Sequence, residues 1–364
     1  MLHRTNITQS VFSIFKPKKE RAFLQANPTD TQLHVDAENV SITVFEYNET
    51  YIKEYHFETV KDCLPFFNSD KNVWINIDGL RRTDLIAVGN QYQIHPLIQE
   101  DILSIGQRPK MDTLTNMLYC LLYMLSVKKG NGQIEQEQVS IVYSKNFVIS
   151  FQEERDKDPF NHLREKLKLD TSRLRQNGPG FLFYTLLDAI VDDYFIVIDK
   201  FSEQREKLEE EIMRRSSKRN MIQLIYLRKD LMLLRRTIMP VRELVNGILK
   251  NENDLLDERT IRYTKDISDH ITQAVEMIES LRETMTSVQD LYLNQENLKM
   301  NESMKVMAIV TCLLAPATVI SGIFGMNFEH IPFLKDHYSF YVVIGIMLLL
   351  PLWMIGIFRR RGWF

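Results

Sequence analysis

Two apolar segments near the C-terminus, residues 306–324 and 340–358, constrain this chain more than anything else in it. Each is about long enough to cross the hydrocarbon core of a bilayer as a single helix, which takes ~20 residues. A short loop that opens Gly325-Met326-Asn327-Phe328 separates them, and everything before Val306 is soluble in character. Such a chain puts one hairpin in the membrane and a large body outside it. Two helices are too few to enclose a pore, so conduction would require an oligomer.

The charge distribution sets the expected orientation. Lys299 and Lys305 flank the start of the first span, Arg359, Arg360 and Arg361 follow the second, and the connecting loop has Lys335 beside Glu329 and Asp336. By the positive-inside rule both termini face the cytoplasm and the loop lies outside. The expectation is an integral protein of the inner or plasma membrane, with Trp353 and Trp363 near the inner boundary. Lys16-Pro17-Lys18-Lys19 has no apolar run beside it, so no secretory signal is expected.

The 364 residues exceed the usual size of a single core, so two or three units are expected. Charged residues make up 26% of the chain and nearly cancel, to a net −3, which speaks against nucleic acid as a partner. No Walker or glycine-rich phosphate loop is present, so neither ATP nor an organic cofactor is expected. Cys63, Cys120 and Cys312 lie far apart without zinc or redox spacing and read as ordinary thiols. No nucleophile–base spacing stands out, so the chain is not expected to be an enzyme.

Residues 33 to 155 read as α/β. Strand alternation occupies 41–47, a second strand runs over 72–77 and is closed by Asp78-Gly79, and 139–143 and 147–151 flank a hairpin-like Ser144-Lys145-Asn146. Helical signals cover 83–92 and 96–103. The spacing predicts a mixed sheet with helices packed on it. Beyond Gly180 the pattern is helical almost without interruption. Two long antiparallel helices, 182–216 and 218–250, are expected, the second kinked at Pro240. A last soluble helix starts near Thr260, and no Gly or Pro interrupts it before Pro316 inside the first span. Continuous to Gly325, it would be roughly 100 Å long, a rod able to carry a cytoplasmic event into the membrane. The expected divisions are 1–170 (α/β domain), 171–259 (long antiparallel helices), 260–303 (stalk), 304–325 (first span), 326–339 (loop), 340–358 (second span) and 359–364 (basic tail).

At three-and-four spacing one stripe of the long helix holds Glu276, Ser280, Glu283, Ser287, Asp290, Asn294, Asn297 and Asn301, and it continues as Met304, Ala308, Thr311, Ala315, Thr318, Gly322 and Gly325. A coiled-coil seam would be apolar at these positions. This one is acidic and amide-rich before the membrane, then small or hydroxylated within it. Small residues also mark close helix packing in bilayers. The competing reading turns the stripe of symmetric copies toward a common axis, where Asp290, Asn294, Asn297 and Asn301 form polar rings and Thr311 and Thr318 line a wet pore. The constant register across the membrane boundary favours the pore. At its outer end Gly325 lets the helix end and the backbone turn. Asn327 supplies an uncharged carbonyl oxygen suited to the water shell of Mg²⁺, an ion that dehydrates reluctantly. Glu329 and Asp336 would raise the local cation concentration.

These residues resemble the CorA-type magnesium and cobalt transporters. The membrane part is similar at Asn301 to Val306, at Ala315-Pro316 and at Ser321-Gly322-Ile323-Phe324-Gly325-Met326-Asn327-Phe328, although the family usually has Tyr where Phe324 stands. After the motif Ile331-Pro332-Phe333 replaces the usual Met-Pro-Glu. Soluble landmarks include His95-Pro96-Leu97, Glu100-Asp101, 107–110, 139–153 and 187–194, so the resemblance covers roughly residues 70–364. It implies a homopentameric funnel, with an αβα domain, two "willow" helices, a stalk that becomes the pore-lining first span, and a second span packed outside it. It also implies that Gly325, Met326 and Asn327 form the selectivity ring, that Asn301, Met304, Met307 and Thr318 line the pore or its gate, and that Arg359–Arg361 form a basic collar at the inner mouth.

The resemblance further implies divalent cations bound between neighbouring cytoplasmic domains. The matching carboxylates are Asp101 with Glu100 against Asp266, with Asp188 or its neighbour Asp192 nearby. A divalent ion cancels the repulsion of facing carboxylates. High internal Mg²⁺ would thus hold the pore shut, and low Mg²⁺ would let the domains splay. The expected function is a potential-driven, channel-like Mg²⁺ influx transporter, with Co²⁺ or Ni²⁺ as secondary ions. Two alternatives remain open, a zinc transporter of the same superfamily and a membrane-anchored structural or signalling oligomer.

Overall fold

The alternation at 41–47 becomes strand β1 (Ser41–Tyr47), which pairs antiparallel with β2 (Ile52–Phe57) on one side and β3 (Asn72–Asp78) on the other. The computed structural model describes residues 33–114, 116–128, 130, 132–153, 159–250, 255–326 and 338–362. Helix α1 (Val60–Cys63) lies between β2 and β3; after β3 come α2 (Arg82–Gln91) and α3 (Pro96–Leu103), then strands β4 (Lys110–Leu114), β5 (Met117–Val127), β6 (Ile134–Tyr143) and β7 (Phe147–Gln152). The sheet order is β2-β1-β3-β7-β6-β5-β4, antiparallel except where β3 meets β7. Helices α4 (Asn161–Lys168) and α5 (Arg173–Gln176) lead into three long helices, α6 (Gly178–Arg214), α7 (Lys218–Leu249) and α8 (Glu258–Phe324), and α9 (Ser339–Arg360) follows.

The sheet is covered on both faces, which gives the expected αβα layers. On one face Ile42, Val44, Ile75 and Ile149 join Leu85 and Val88 of α2 and Ile98 and Ile102 of α3 in one buried cluster. On the other, Phe45 stacks on Trp74 at 5.2 Å, Trp74 meets Phe160 edge-on at 6.4 Å, and Tyr143 stacks on Phe183 of α6 at 5.1 Å. A chain of polar groups inside this sheet is paired: Trp74 Nε1 donates to Ser150 Oγ at 3.0 Å, and Ser150 Oγ donates to Asn76 Oδ1 at 2.6 Å. Such pairing is what makes buried polar groups tolerable.

Strand β5 carries no clear periodic signal because it is an eleven-residue, nearly continuous apolar run. Covered on both faces, it has no reason to alternate, and such runs are ambiguous between strand and helix by pattern alone. The edge strands β2 and β4 also lack a sequence assignment; neither has a fully buried residue. Gly79 ends β3 at φ +90, and a side chain there would meet the Asn39 carbonyl at 2.5 Å, so the turn requires glycine.

The described residues fall into two units, residues 1–206 with 225–285 and residues 207–224 with 286–364. In the first, Ile267, Ile271, Ala274, Ile278 and Leu281 of α8 are buried, as are Leu231, Leu234, Ile238 and Val241 of α7. Arg235 Nε lies 3.1 Å from Glu279 Oε1, which joins α7 to α8 at their charged edge. Helix α8 begins at Glu258 rather than Thr260 because Asp257 caps it, accepting the Thr260 amide at 3.1 Å. It runs 67 residues through Pro316 without a break, about 100 Å at the α-helical rise. In the second unit α9 is apolar from Phe340 to Phe358 before it ends in Arg359-Arg360, and both it and the end of α8 are long and apolar enough to cross a membrane.

Candidate functional site: a polar stripe and an acidic cluster

The stripe predicted on the long helix is exposed along its whole described length. Asp290, Asn294, Asn297, Asn301, Met304, Met307, Ala308, Thr311, Ala315, Thr318 and Gly322 are all exposed, whereas Met285 and Val288 on the neighbouring face are buried. Within the apolar part of α8 the less exposed positions are Ile309, Leu313, Pro316, Ala317, Ile320 and Phe324, which share one helical face. Val343, Met347, Leu350, Met354 and Ile357 form the corresponding half-covered face of α9. The stripe lies off that covered face, as do the exposed apolar Val306, Val310, Leu314, Val319 and Ile323, and it differs from them in being polar or small.

Thr311 Oγ1 donates to the Met307 carbonyl at 2.9 Å and Thr318 Oγ1 to the Leu314 carbonyl at 3.0 Å. This back-bonding uses the only hydrogen each hydroxyl has and leaves its oxygen as an acceptor. The exposed groups of the stripe within the span are then acceptors, small side chains and methionine sulfur.

At the end of the stripe, Gly325 donates its amide to the Ser321 carbonyl at 2.9 Å, and Met326 donates to the Ile323 carbonyl at 3.3 Å. The helix does end here, but not by the left-handed backbone expected of a glycine cap, since Gly325 is absent from the positive-φ glycines among the described residues. Its small size has another use: an added Cβ would approach the Ser321 carbonyl to 3.0 Å. Asn327, Glu329 and Asp336, with the rest of the loop, lie outside the described residues. The basic Arg359, Arg360 and Arg361 are exposed at the end of α9, where Lys305 Nζ donates to the Gly362 carbonyl at 3.3 Å.

The second constellation lies in the other unit. Asp188 and Asp192 are one turn apart on α6, and Asp266 and His270 are one turn apart on α8; i,i+4 spacing puts each pair on one face of its helix. Asp188, Asp192 and His270 each offer a ligand atom within 4.8 Å of the others. Asp192 Oδ1 is 4.0 Å from His270 Nδ1, and Asp188 Oδ2 accepts a hydrogen bond from the Tyr184 hydroxyl at 3.3 Å. Burial holds the Asp188 carboxyl above its usual range, and the charges of Asp192 and Asp266 push the same way, against the Tyr184 hydrogen bond and the His270 charge. Burial likewise raises Asp193, helped by Asp192. Two carboxylates and an imidazole this close, one of them reluctant to ionise, fit a divalent cation, which would relieve the repulsion. His270 was not among the sequence candidates; its one-turn spacing from Asp266 was the signal available for it.

Asp101 and Glu100 are not part of this cluster within one chain. Asp101 Oδ2 accepts from Lys110 Nζ at 2.5 Å, and the same ammonium is 3.6 Å from Asp112. Glu100 is exposed on α3. Asp266 is exposed on α8, so it is free to meet a ligand from outside the chain.

The chain thus combines a seven-stranded sheet covered by helices, two long helices, and a third that carries the first of two membrane-length segments and bears a polar and small-residue stripe. The chain belongs to the family of CorA-like Mg²⁺ transporter proteins, whose model matches residues 69–360. It is 35% identical over 327 residues to the cobalt/magnesium transport protein CorA of Thermotoga maritima, covering 90% of this chain and 93% of that protein. It is 31% identical over 291 residues to the putative metal ion transporter YfjQ of Bacillus subtilis, covering 80% and 89%. Among solved structures, that of the complete CorA magnesium transporter from Methanocaldococcus jannaschii superposes with a TM-score of 0.74 at 20% identity, covering 92% of this chain and 100% of that one. The ZntB cytoplasmic domain from Vibrio parahaemolyticus shares the fold at 0.55 and 13% identity, over 70% of this chain and 98% of that one.

Proposed function

We propose that this protein is a homopentameric, channel-like Mg²⁺ transporter that admits Mg²⁺ down the membrane potential, accepts Co²⁺ as a secondary ion, and closes when intracellular Mg²⁺ binds between its cytoplasmic domains. The observation that carries this reading is the in-phase stripe from Asp290 to Gly322, acidic and amide-rich before the apolar run, small or hydroxylated within it, and exposed throughout in a single chain. Five copies turned about that stripe would give Asp290 and three rings of Asn before the membrane, then hydroxyl oxygens acting as acceptors. Acceptors suit an ion that keeps its water, because the shell presents hydrogens outward. Asn327 would complete the outer ring, with Glu329 and Asp336 gathering cations.

For regulation, Asp101 and Glu100 of one subunit would face Asp266 of the next, with Asp188, Asp192 and His270 beside them. Lys110 holds Asp101 in the isolated chain, so a bridging cation must displace that ammonium. A divalent charge does so more readily as its concentration rises, which is the sense required for closure by abundant Mg²⁺. The imidazole of His270 suits Co²⁺ at least as well as Mg²⁺.

The test is uptake into liposomes. The full chain is reconstituted around a Mg²⁺-sensitive dye, an inside-negative potential is imposed, and Mg²⁺ is added outside. A dye signal that disappears in Asn327→Ala, with the variant still assembling as the wild type does, supports the reading; equal signals from both overturn it. No Mg²⁺ signal but a Zn²⁺ signal under a proton gradient would assign the chain to zinc transport.

A further inference from the structure

The hairpin between α6 and α7 is strongly basic: Arg214, Arg215, Lys218 and Arg219 surround Ser216-Ser217. All four cations are exposed. Opposite charges near them are already engaged. Glu211 Oε2 accepts from Asn220 Nδ2 at 3.0 Å, and Glu296 Oε1 accepts from Ser216 Oγ at 2.6 Å and from Lys299 Nζ at 3.0 Å. Glu210 is 3.9 Å from Arg214. Arg215, Lys218 and Arg219 have no ion-pair partner among the described residues.

Arg214, Arg215 and Arg219 border an open cavity of about 630 Å³ that Glu211, Lys299, Ser216, Ser217 and Asn220 also line. Ser216 and Asn220 are buried, Ser217 Oγ accepts the Asn220 amide at 3.3 Å, and Lys299 Nζ also donates to the Ser216 carbonyl. The cavity is edged with the guanidinium groups of Arg215 and Arg219, which lack an ion-pair partner among the described residues, and guanidinium groups recognise phosphate oxygens in pairs.

Its level in the second unit is fixed as well. The contacts from Ser216 to Glu296 and Lys299 pin the hairpin to α8, the nearer of them, Lys299, seven residues before Val306, where the apolar run begins. Along an α-helix that is about 10 Å. A headgroup layer extends roughly 5–7 Å beyond the hydrocarbon edge, so the remaining few ångströms are within reach of an extended arginine or lysine. Lys305, which donates to Gly362 beside Arg359–Arg361, marks the same membrane edge.

We propose that the α6–α7 hairpin is a headgroup seat, binding the phosphate of anionic phospholipids in the leaflet next to Lys305 through Arg215 and Arg219, with Arg214, Lys218 and Lys299 supporting. The seat ties the outer end of this hairpin to the bilayer. It depends on the membrane placement of α8 and not on which ion passes, so its failure and that of the transport reading are separable.

The full-length oligomer, purified in neutral detergent, is exchanged into mixed micelles of phosphatidylglycerol and phosphatidylcholine, and retained lipid is measured by native mass spectrometry. The wild type should enrich phosphatidylglycerol about tenfold more than the double variant Arg215→Gln/Arg219→Gln. Arg215→Lys/Arg219→Lys, which keeps the charge but loses the paired donors, should enrich phosphatidylglycerol less than the wild type and more than the Gln variant. Arg214→Gln, at another wall of the same cavity, reads it independently should the first variant fail to assemble. Enrichment unchanged in the Gln variants overturns the proposal. Displacement of phosphatidylglycerol by millimolar inorganic phosphate also overturns it, because the seat would then serve free phosphate.

Discussion

Helix α8 follows two different rules along its length. From Ile267 to Val288 it buries an apolar face, as an amphipathic helix of a soluble domain does. From Asn301 to Phe324 almost every residue is at least partly exposed, Ile309 being the buried exception. In the first stretch the partners are in the same chain. In the second they are lipid and, on our proposal, other copies of the chain. Exposure therefore means solvent at one end and an unfilled assembly at the other, so the same exposed residue type predicts different consequences in the two halves.

The largest effect that would break this contrast concerns flux. Thr311→Leu with Thr318→Leu should reduce Mg²⁺ uptake into liposomes by tenfold or more, because apolar rings dewet a narrow pore. Leu314→Thr, off the stripe, should leave uptake near the wild-type rate. Equal effects from both changes would mean that the stripe does not face the ion path.

Stability should divide the other way. Ile278→Ala, fully buried in the soluble half, should cost about 2–4 kcal/mol and lower the thermal midpoint. Val319→Ala, 60% exposed in the span, should cost less than about 1 kcal/mol in detergent. Scanning calorimetry of the two variants decides it, and similar losses would show that the membrane half is packed in ways one chain does not reveal.

The carboxylate pair comes next. Asp101→Asn with Asp266→Asn should move the internal Mg²⁺ concentration that halves the uptake rate upward by about tenfold, as expected for losing the shared charge that holds a divalent ion. Unchanged inhibition would remove these residues from regulation.

The smallest expected effect is a pH dependence at Asp188. Its carboxyl is raised above 3.8 by burial and then by Asp192. A raised folded-state value means that the folded chain binds the proton more tightly than the unfolded one, so this group's contribution to stability falls as pH rises from 3.8 through the folded value. Without divalent ions Asp188→Asn should therefore raise the thermal midpoint at neutral pH, and the gain should vanish below about pH 3.8. With millimolar Mg²⁺ the order should reverse, because the variant loses a ligand. A midpoint indifferent to Mg²⁺ in both proteins would exclude cation binding by the Asp188, Asp192 and His270 cluster.

Much of this was legible in the residues. Strands β1, β3, β6 and β7 announced themselves by alternation or by a hairpin turn, and α3 by the helical signal over 96–103; that His95 Nδ1 caps it, accepting the Leu97 amide at 3.2 Å, the structure added. Strand β5 did not, because two-sided burial erases its period. The stripe was legible because helical spacing is a property of sequence alone. That Lys110 already holds Asp101 was not, since β4 brings it there. Nor was His270, which meets Asp188 and Asp192 across two helices far apart in the chain.

The sequence by itself determined the two membrane-length helices, the unbroken α8 and the phase of its polar stripe, because length, apolar content and the 3.6-residue period act within a single segment. Only the tertiary structure decided which carboxylates stand together, which cation each one faces, and that the basic hairpin at Ser216 is pinned at Lys299, seven residues before the apolar run. Those are distances between segments remote in sequence, set by how helices and sheet pack, and no local pattern encodes them.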